Sequence, residues 1–404
     1  MNLIKSNYLA YCVVYFTINI MNIYLLIYFP LYFFDVLNIN RSVLALTQLV
    51  SKSMLIIAIF LGYFFDRYAH KKKIIISISG LVLFFSFLLF ILLRNIIFWF
   101  GVFLSISLAT RTVIQTGMSK LMFELFKSNE DLKKNVILIS NASSSLGAFI
   151  PTIFFSIIVL DFYSFTLWNS FFLIGWIISC PLLLTFFLIK DTSHKNLNTQ
   201  NEVELIPQNQ EESINSNSNM WVTILVYVSY FLFWGSYLFG YPLSSWITSN
   251  FGQNAFKFYS SFYVIFFLFN MSGFFIAKRI YRKGNEKKII MMGMFSVVSL
   301  FLVYPYISFP IFFFLYSIEA FIYGLVVSNF LYIIIDISRQ GKYENLKYQI
   351  MQSSSYLGNA IFTSLGIFLS NVFSTTSLMT ISAFLVFLAT VPLIIKEIPY
   401  FSAK

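Results

Sequence analysis

The sequence predicts an all-α polytopic membrane protein, with twelve transmembrane helices in two six-helix bundles related by a parallel pseudo-repeat. The composition, the spacing of apolar segments and a match between the two halves predict it. Of the 404 residues, 58% are hydrophobic and 11% are charged, and the mean hydropathy is +0.79. Soluble domains are about 45–50% apolar and about 25% charged. A chain this apolar needs lipid as its solvent, which excludes soluble enzymes and DNA-binding domains.

Twelve segments are long and apolar enough to cross a bilayer. A transmembrane helix needs about 20 apolar residues, because the hydrocarbon core is about 30 Å thick. Runs such as MLIIAIFL at 54–61 lack the alternating polarity of a barrel strand. The predicted spans are 8–34, 42–65, 74–93, 96–119, 135–160, 165–189, 221–247, 255–277, 289–306, 310–335, 348–372 and 376–395.

The net charge of +11 is interpreted as a topology signal. If both termini are cytoplasmic, Arg41, Arg94 and Lys257 fall outside, and Lys52 and Arg111 fall within spans, so 22 of the 27 basic residues (27 − 3 − 2) lie inside. Basic cytoplasmic loops are typical of polytopic proteins. We therefore expect a multi-pass protein of the cell membrane with both termini in the cytoplasm. Its surroundings are the lipid bilayer, and nucleic acid is not expected as a partner.

The chain divides into an N-terminal half, 1–189, and a C-terminal half, 220–404. Between them, residues 190–219 are rich in Asn, Gln, Ser and Glu and contain little that could pack in a core. Polar segments of this kind do not bury enough apolar surface to fold. We therefore predict a flexible cytoplasmic linker between two six-helix bundles.

Two local matches relate the halves at one offset. Gly62 and Gly273 precede charged residues at the ends of the second and eighth spans, and they lie 211 residues apart (273 − 62). The Leu-Gly pairs ending at Gly147 and Gly358, each preceded by three serines, have the same offset (358 − 147). Parallel six-helix repeats with a site at their interface are a transporter architecture.

The segment GYFFDRYAHKKK, at 62–73, resembles the loop motif of the major facilitator superfamily, Gly-x-x-x-Asp-Arg-x-Gly-Arg-Arg/Lys. Gly62, Asp66, Arg67 and the basic run match, and Ala69 replaces the second glycine. With the twelve spans, the central loop and the repeat, the resemblance covers essentially the whole chain. It implies a secondary transporter that works by alternating access, without a cofactor. It also implies that Gly62, Asp66 and Arg67 form a gating motif.

Three ionisable residues lie well inside the predicted spans: Lys52, Arg111 and Glu319. A charge in hydrocarbon costs about 2.5–3.5 kcal/mol on insertion scales, so each is a functional candidate. The family resemblance places their spans in or beside a central cavity. Two cations and one carboxylate leave a charge of +1, which predicts a small organic anion as the substrate. The alternative is that Glu319 pairs with Arg111 or Lys52 as a structural contact.

Glu319 is the only carboxylate deep in the predicted spans, so any proton coupling, and hence symport, is assigned to it. Polar and aromatic residues at helical spacing complete the predicted cavity lining. They are Asn19, Asn22, Gln115, Trp234, Tyr237, Tyr323, Gln352 and Asn359.

Two other functions stay open at this stage. One is transport of a neutral solute, such as a sugar or a nucleoside, stacked on the aromatic residues of the seventh span. The other is a receptor or scaffold that keeps the fold without transport. An enzyme is disfavoured because no histidine lies within a span to supply a catalytic or metal site. We expect a monomer that binds a small molecule and no metal.

Overall fold

The regular structure of the described residues is helical. The computed structural model describes residues 3–93, 95–126, 130–161, 163–190, 216–240, 243, 246, 255–282, 284–339 and 343–395. Within these ranges the secondary-structure elements are helices, and no strand occurs among them. The predicted all-α class is therefore confirmed.

The described residues contain twelve long helices in the predicted order. The first half contains α1 (Ser6–Leu31), α2 (Arg41–Arg67), α3 (Lys72–Leu92), α4 (Ile97–Glu124), α5 (Asp131–Ile158) and α6 (Phe165–Leu184). The second half contains α7 (Met220–Phe239), α8 (Ser261–Ile280), α9 (Glu286–Tyr306), α10 (Phe309–Ser338), α11 (Glu344–Leu369) and α12 (Thr375–Ile394). Helical structure already begins at Ser216 before α7, within the predicted linker. Residues 191–215 of that linker, and most of the predicted end of the seventh span, lie outside the described residues.

Helix α11 differs from the other eleven, which are long and apolar enough by composition to cross a membrane. Its glutamines and serines lower its hydropathy, yet Gln349, Gln352 and Ser354 are buried. The helix packs against α2 of the first half and against α7 of its own half. Its polar side chains therefore belong to the interface between the halves and not to a loop.

The two halves repeat the same helix packing. The pairs α1–α5, α2–α4 and α3–α4 of the first half correspond to α7–α11, α8–α10 and α9–α10 of the second. Between the halves, α2 packs against α11 and α5 packs against α8. We call these two contacts the α2–α11 seam and the α5–α8 seam. They are equivalent under the repeat, and the centre of the molecule lies between them.

The repeated serine–glycine segment marks two close helix crossings. A Cβ at Gly147 would collide with the backbone oxygen of Phe16, so α5 crosses α1 in near contact. A Cβ at Gly358 would lie 2.7 Å from the backbone oxygen of Phe231, where α11 crosses α7. Small residues permit such approaches between membrane helices. The 211-residue offset therefore corresponds to a packing contact made once in each half.

The other repeated glycine is used differently in the two halves. At Gly62, a Cβ would lie 2.9 Å from Cα of Leu346 in α11, across the interface. At Gly273, it would meet the backbone of Phe321 and Gly324 in α10 of the same half. Only the first glycine brings the two halves together.

Candidate functional site

A central cavity of about 380 Å³ lies between the two halves. This is within the range of about 300–1,000 Å³ that is usual for small-molecule sites. Helices α1, α2, α4 and α5 line it from the first half, and α7, α8, α10 and α11 from the second. In α7 the lining residues lie on a 3₁₀-helical segment, Trp234–Phe239, whose tighter winding ends the α-helix at Phe233.

The first half presents two cations to this cavity. Lys52 is only 3% exposed, and its Nζ donates to Oδ1 of Asn359, 3.2 Å away across the α2–α11 seam. The guanidinium of Arg111 also lines the cavity, and its Nε is buried without a hydrogen-bond partner. Among the described residues, the ion pairs involve other side chains, and neither cation has a carboxylate oxygen within 4.0 Å. Neither charge therefore has a carboxylate partner in the part of the chain that the structure describes.

Glu319 comes from the opposite half and has its own partner. It is 4% exposed, lines the cavity, and accepts a hydrogen bond of 2.5 Å from the hydroxyl of Tyr304 in α9. Tyr304 packs on Phe312 behind the cavity wall, with ring centroids 4.7 Å apart. The alternative in which Glu319 pairs with Arg111 or Lys52 is thus not what the described residues show.

The oxygen acceptors of the cavity are largely used by internal donors. The Oδ1 atom of Asn359 accepts from Lys52, and that of Asn19 accepts from Asn22 at 3.2 Å. The Oδ1 atom of Asn270 accepts from Ser145 at 3.4 Å. Together with the bond from Tyr304 to Glu319, these contacts occupy four acceptor side chains of the wall.

Several hydrogen-bond donors of the same wall are free. Within the described part of the chain, four lining residues have a buried polar atom without a partner, and each of these atoms can donate: Arg111 Nε, Asn141 Nδ2, Trp234 Nε1 and Thr363 Oγ1. A buried donor left unpaired costs about 1–3 kcal/mol. Free donors beside occupied acceptors suit a ligand that supplies acceptor oxygens.

The second half also presents a continuous aromatic wall, composed of Trp234, Tyr237, Tyr263, Phe266, Phe267, Tyr316 and Tyr323. Trp234 stacks on Tyr237, with centroids 5.0 Å apart, and Tyr237 lies 5.9 Å from Tyr323. Phe266 continues the wall from α10 to α8, at 6.3 Å from Tyr323 and 5.4 Å from Tyr316. Such separations are typical of attractive aromatic pairs.

One end of the bundle is closed by polar contacts between the halves. We call it the inner end; it carries the N-terminus of α1 and the loop between α2 and α3. The carboxylate of Asp66 accepts from Lys120 Nζ and from the backbone N–H of Leu346, each at 2.9 Å. Leu346 lies in the first turn of α11, where the helix dipole favours a negative charge.

Two further contacts close the inner end. Ser119 of α4 donates to Asn345 of α11 at 2.7 Å and accepts from Gln349 at 2.8 Å. Lys133 of α5 is fully buried and forms an ion pair with Asp336 of α10. Its ammonium also lies 5.5 Å from the ring centroid of Tyr281, which follows α8. All of these contacts join the first half to the second.

The family model of the Major Facilitator Superfamily matches residues 114–344, which is more than half of the chain. The chain belongs to the major facilitator superfamily. The crystal structure of the human organic anion transporter MFSD10 (TETRAN) is similar, with a TM-score of 0.72 and 13% sequence identity, covering 97% of this chain and 100% of that chain. At this identity the likeness shows the fold. No curated protein matches the chain.

This membership confirms the predicted family and the major facilitator fold, and it identifies the protein as an integral multi-pass membrane transporter. A transporter of this kind implies a small-molecule substrate and a lipid environment. Family and neighbour point to transport and not to an enzyme.

The cavity of this major facilitator protein contains nine of the eleven residues that the sequence nominates for substrate binding. They are Asn19, Asn22, Lys52, Arg111, Trp234, Tyr237, Glu319, Tyr323 and Asn359. The lining does not include Gln115, which lies one helical turn beyond Arg111 toward the inner end. It also does not include Gln352, whose Oε1 contacts Ser355 at 3.3 Å.

Within the family motif, two of the three nominated residues touch the opposite half. Gly62 and Asp66 both contact α11 at Leu346. Arg67 is exposed, and its guanidinium lies 5.7 Å from the ring centroid of Tyr68 in the following loop. The arginine therefore takes no part in the contact with α11.

Sequence reasoning missed several lining residues. Asn141, Ser144, Ser145 and Asn270 line the cavity at the α5–α8 seam. The three serines before Gly147 are visible in the sequence, but there they indicate the repeat and do not by themselves indicate the cavity. Tyr263, Phe266 and Phe267 could not be singled out by residue type. The chain has 51 Phe and 25 Tyr, so aromatic residues occur on nearly every helix face.

Proposed function

We propose that this major facilitator transporter moves a small organic anion, and that Lys52 and Arg111 bind the anionic group. The observation that carries the proposal is the cavity-lining Arg111, whose buried Nε is a free donor and which has no carboxylate partner among the described residues. The nine predicted lining residues that meet at one cavity support the same site.

A negatively charged substrate would compensate the charges of Lys52 and Arg111. A buried cation that lacks a partner is costly, since its desolvation is not repaid within the protein. A carboxylate, sulfonate or phosphate offers the missing charge, and its hydrogen bonds to Arg and Lys are about twice as strong as neutral ones. The other free donors, on Asn141, Trp234 and Thr363, would then bind the remaining acceptor oxygens.

Proton coupling is proposed to run through Glu319. With Glu319 ionised, the two cations and one carboxylate sum to +1; with Glu319 protonated, the cavity charge is +2. Protonation therefore favours binding of an anion, and by linkage the anion favours protonation to the same extent. Movement of both in the same direction is symport.

The inner end is proposed to be the cytoplasmic gate of an alternating-access cycle. The contacts of Asp66, Ser119 and Lys133 with the second half support a state in which this end is closed. Opening would separate α2 from α11 and exchange these contacts for water. Gly62 assists closure because it lets the two backbones meet.

The topology completes the proposal. Basic residues are concentrated at the inner end, so the positive-inside rule places both termini in the cytoplasm. We propose the cell membrane as the site of action and the monomer as the functional unit.

A neutral solute remains the second candidate, because the stacked pair Trp234 and Tyr237 resembles a surface on which a sugar or nucleoside base could lie. The two candidates differ in their dependence on charge. A neutral solute would not need the two cations, whereas an anion would lose its binding without them. A receptor without transport would bind a ligand and not move it.

The test is uptake of radiolabelled organic anions and sugars by sealed proteoliposomes containing the purified protein. Lys52→Met and Arg111→Gln should each lower anion uptake at least tenfold. Lys288→Met and Arg282→Gln, which remove the same charges from exposed positions near the inner end, should leave uptake unchanged. Unchanged uptake of every anion in both cavity variants would refute the proposal.

A further inference from the structure

The cavity has two chemically different sides. The cations belong to the first half, and Lys52 lies at the α2–α11 seam through its contact with Asn359. The aromatic wall belongs to the second half and extends from α7 through α10 to α8, whose partner across the interface is α5. The cations and the aromatic rings therefore come from opposite halves of one cavity.

We infer that the substrate is an amphipathic monoanion, with one anionic head bound by Lys52 and Arg111 and an apolar, preferentially aromatic body packed on the aromatic wall. This inference rests on the proposed function and specifies its substrate class. It concerns the part of the ligand that the cations do not touch.

The size of the cavity requires such a body. A carboxylate or sulfonate group occupies only a small part of about 380 Å³. The remainder is bounded mainly by apolar atoms, among them Phe239, Leu243 and Phe274 in addition to the aromatic wall. Water against such a surface is released favourably when an apolar group replaces it. A small hydrophilic anion would not displace this water and would not gain the free energy of burying apolar surface.

The charge distribution indicates one head and not two. Among the described lining residues, the side chains that carry a charge at neutral pH or can gain one as a carboxylate are Lys52 and Arg111 on the first half and Glu319 on the second. A second anionic group that extended toward the aromatic wall would be buried against apolar side chains and would meet no cation among the described lining residues of the second half. A buried charge without a partner is costly, so a dianion suits the cavity poorly whether Glu319 is ionised or protonated.

Phe266 and Phe267 of α8 are the residues that we expect to contact the apolar body of the substrate. Both line the cavity, and their centroids are 5.7 Å apart. Phe266 also contacts Tyr316 and Tyr323, so its position is fixed by α10. On the same helix, Phe269 is 43% exposed and does not line the cavity, which makes it a matched control.

The experiment is a titration of the wild-type protein in lipid nanodiscs with straight-chain alkanesulfonates of one to nine carbons and with phenylalkanesulfonates of seven to nine carbons. Sulfonates keep their charge at any working pH, and protein-free nanodiscs correct for partitioning into lipid. Each methylene should tighten binding by about three- to fourfold until the cavity is full. Phenyl members should bind more tightly than alkyl members of equal carbon number.

Variants separate the head from the body. Phe266→Ala and Phe267→Ala should flatten the dependence on chain length, whereas Phe269→Ala should not change it. Lys52→Met should weaken every member by the same factor and leave the slope unchanged. Phe266→Leu, which stays apolar, should keep the slope for alkyl members and lose the preference for phenyl ones, even if the alanine variant fails to fold.

The two proposals fail in different ways. If sulfonates bind but their affinity does not depend on chain length, the inference of an apolar body is wrong and the anion proposal stands. If the matching neutral sulfonamides bind as tightly as the sulfonates, the anion proposal itself is wrong. A disulfonate that binds more tightly than the monosulfonate of equal length would overturn the single-headed substrate.

Discussion

The two halves of the molecule share a backbone arrangement and differ in the chemistry that they present to the cavity. Gly147 and Gly358 hold equivalent helix crossings. At the 211-residue offset, however, Lys52 corresponds to Tyr263 (52 + 211), and both line the cavity. Arg111 corresponds to Ile322, which does not. The repeat therefore supplies the scaffold, and different residues at equivalent positions place cations on one side of the cavity and aromatic rings on the other.

The same lesson holds at the inner end. Asp66 corresponds to Ala277 (66 + 211), so the second half has no carboxylate at the position whose counterpart in the first half binds the start of α11. The closing contact near Ala277 comes instead from Lys133, which pairs with Asp336 and faces the ring of Tyr281. Equivalent seams are thus closed by unrelated side chains.

The largest predicted effect concerns Glu319, the acidic residue beside the aromatic wall. Glu319→Gln should abolish accumulation of an anion driven by a pH gradient, because the amide does not take up a transported proton. Exchange of labelled for unlabelled anion should persist, since Gln resembles the protonated acid. Both are measured in proteoliposomes.

Tyr304→Phe is the control for this variant. It removes the hydrogen bond to Glu319 but leaves the carboxyl group, so proton-driven accumulation should be retained. Accumulation by Glu319→Gln equal to that of the wild type would show that the proton does not travel on this residue.

Exchanging the two equivalent positions tests the comparison directly. Lys52→Tyr gives the first half the residue of the second, and it should weaken binding of a monoanion about 10- to 100-fold, as expected for loss of a charged hydrogen bond. Tyr263→Lys adds a cation to the aromatic wall and should improve binding of a dianion relative to a monoanion. Calorimetric titration of both variants measures these changes.

A third prediction concerns the scaffold that the halves share. Gly147→Ala and Gly358→Ala should each destabilise the protein by about 1–3 kcal/mol, because the new methyl group overlaps the backbone of the neighbouring helix. Gly240→Ala should have little effect, since no atom lies within 4 Å of a Cβ there. Melting temperatures of the purified variants measure these changes. Equal melting temperatures for all three would contradict the paired close crossings.

The smallest predicted effect is at the inner end. Asp66→Asn weakens a charged contact with the start of α11, and a loss of about 1 kcal/mol raises the open population about fivefold. The measurement is the rate at which a maleimide labels Thr116→Cys, with Cys12 and Cys180 replaced by serine. Thr116 is buried beside Asn345 in the closed state. The control is Asp131→Asn, which removes a carboxylate that is 90% exposed and should not alter the rate.

Much of the fold could be predicted from the sequence because lipid imposes simple rules on length and polarity. The twelve helices, the repeat and the family follow from apolar spans, from the pattern around Gly62 and from the offset of 211. The buried charges led to the cavity for a related reason. Lys52, Arg111 and Glu319 are expensive in hydrocarbon wherever they do not face a polar interior.

The remaining features depend on how helices from different halves meet. Helical spacing places Gln115 on the face of Arg111, but it does not tell at which turn the cavity ends. Lys133 and Asp336 lie near helix ends, where charged residues are common in membrane proteins. Their pairing could therefore not be predicted from the sequence. Glu319 is paired by Tyr304, and only the packing of α9 on α10 brings these residues together.

The central claim is that the cavity recognises negative charge through Lys52 and Arg111, two cations that have no carboxylate partner among the described residues. It is tested most directly by the melting temperature of the purified protein in rising concentrations of 4-phenylbutyrate or of its uncharged amide. A ligand that binds only the folded state stabilises it in proportion to ln(1 + [L]/Kd). We expect stabilisation by the acid, much less by the amide, and much less by the acid in Arg111→Gln at the same ligand concentration. Equal stabilisation by acid and amide, or an unchanged response in Arg111→Gln, would contradict it.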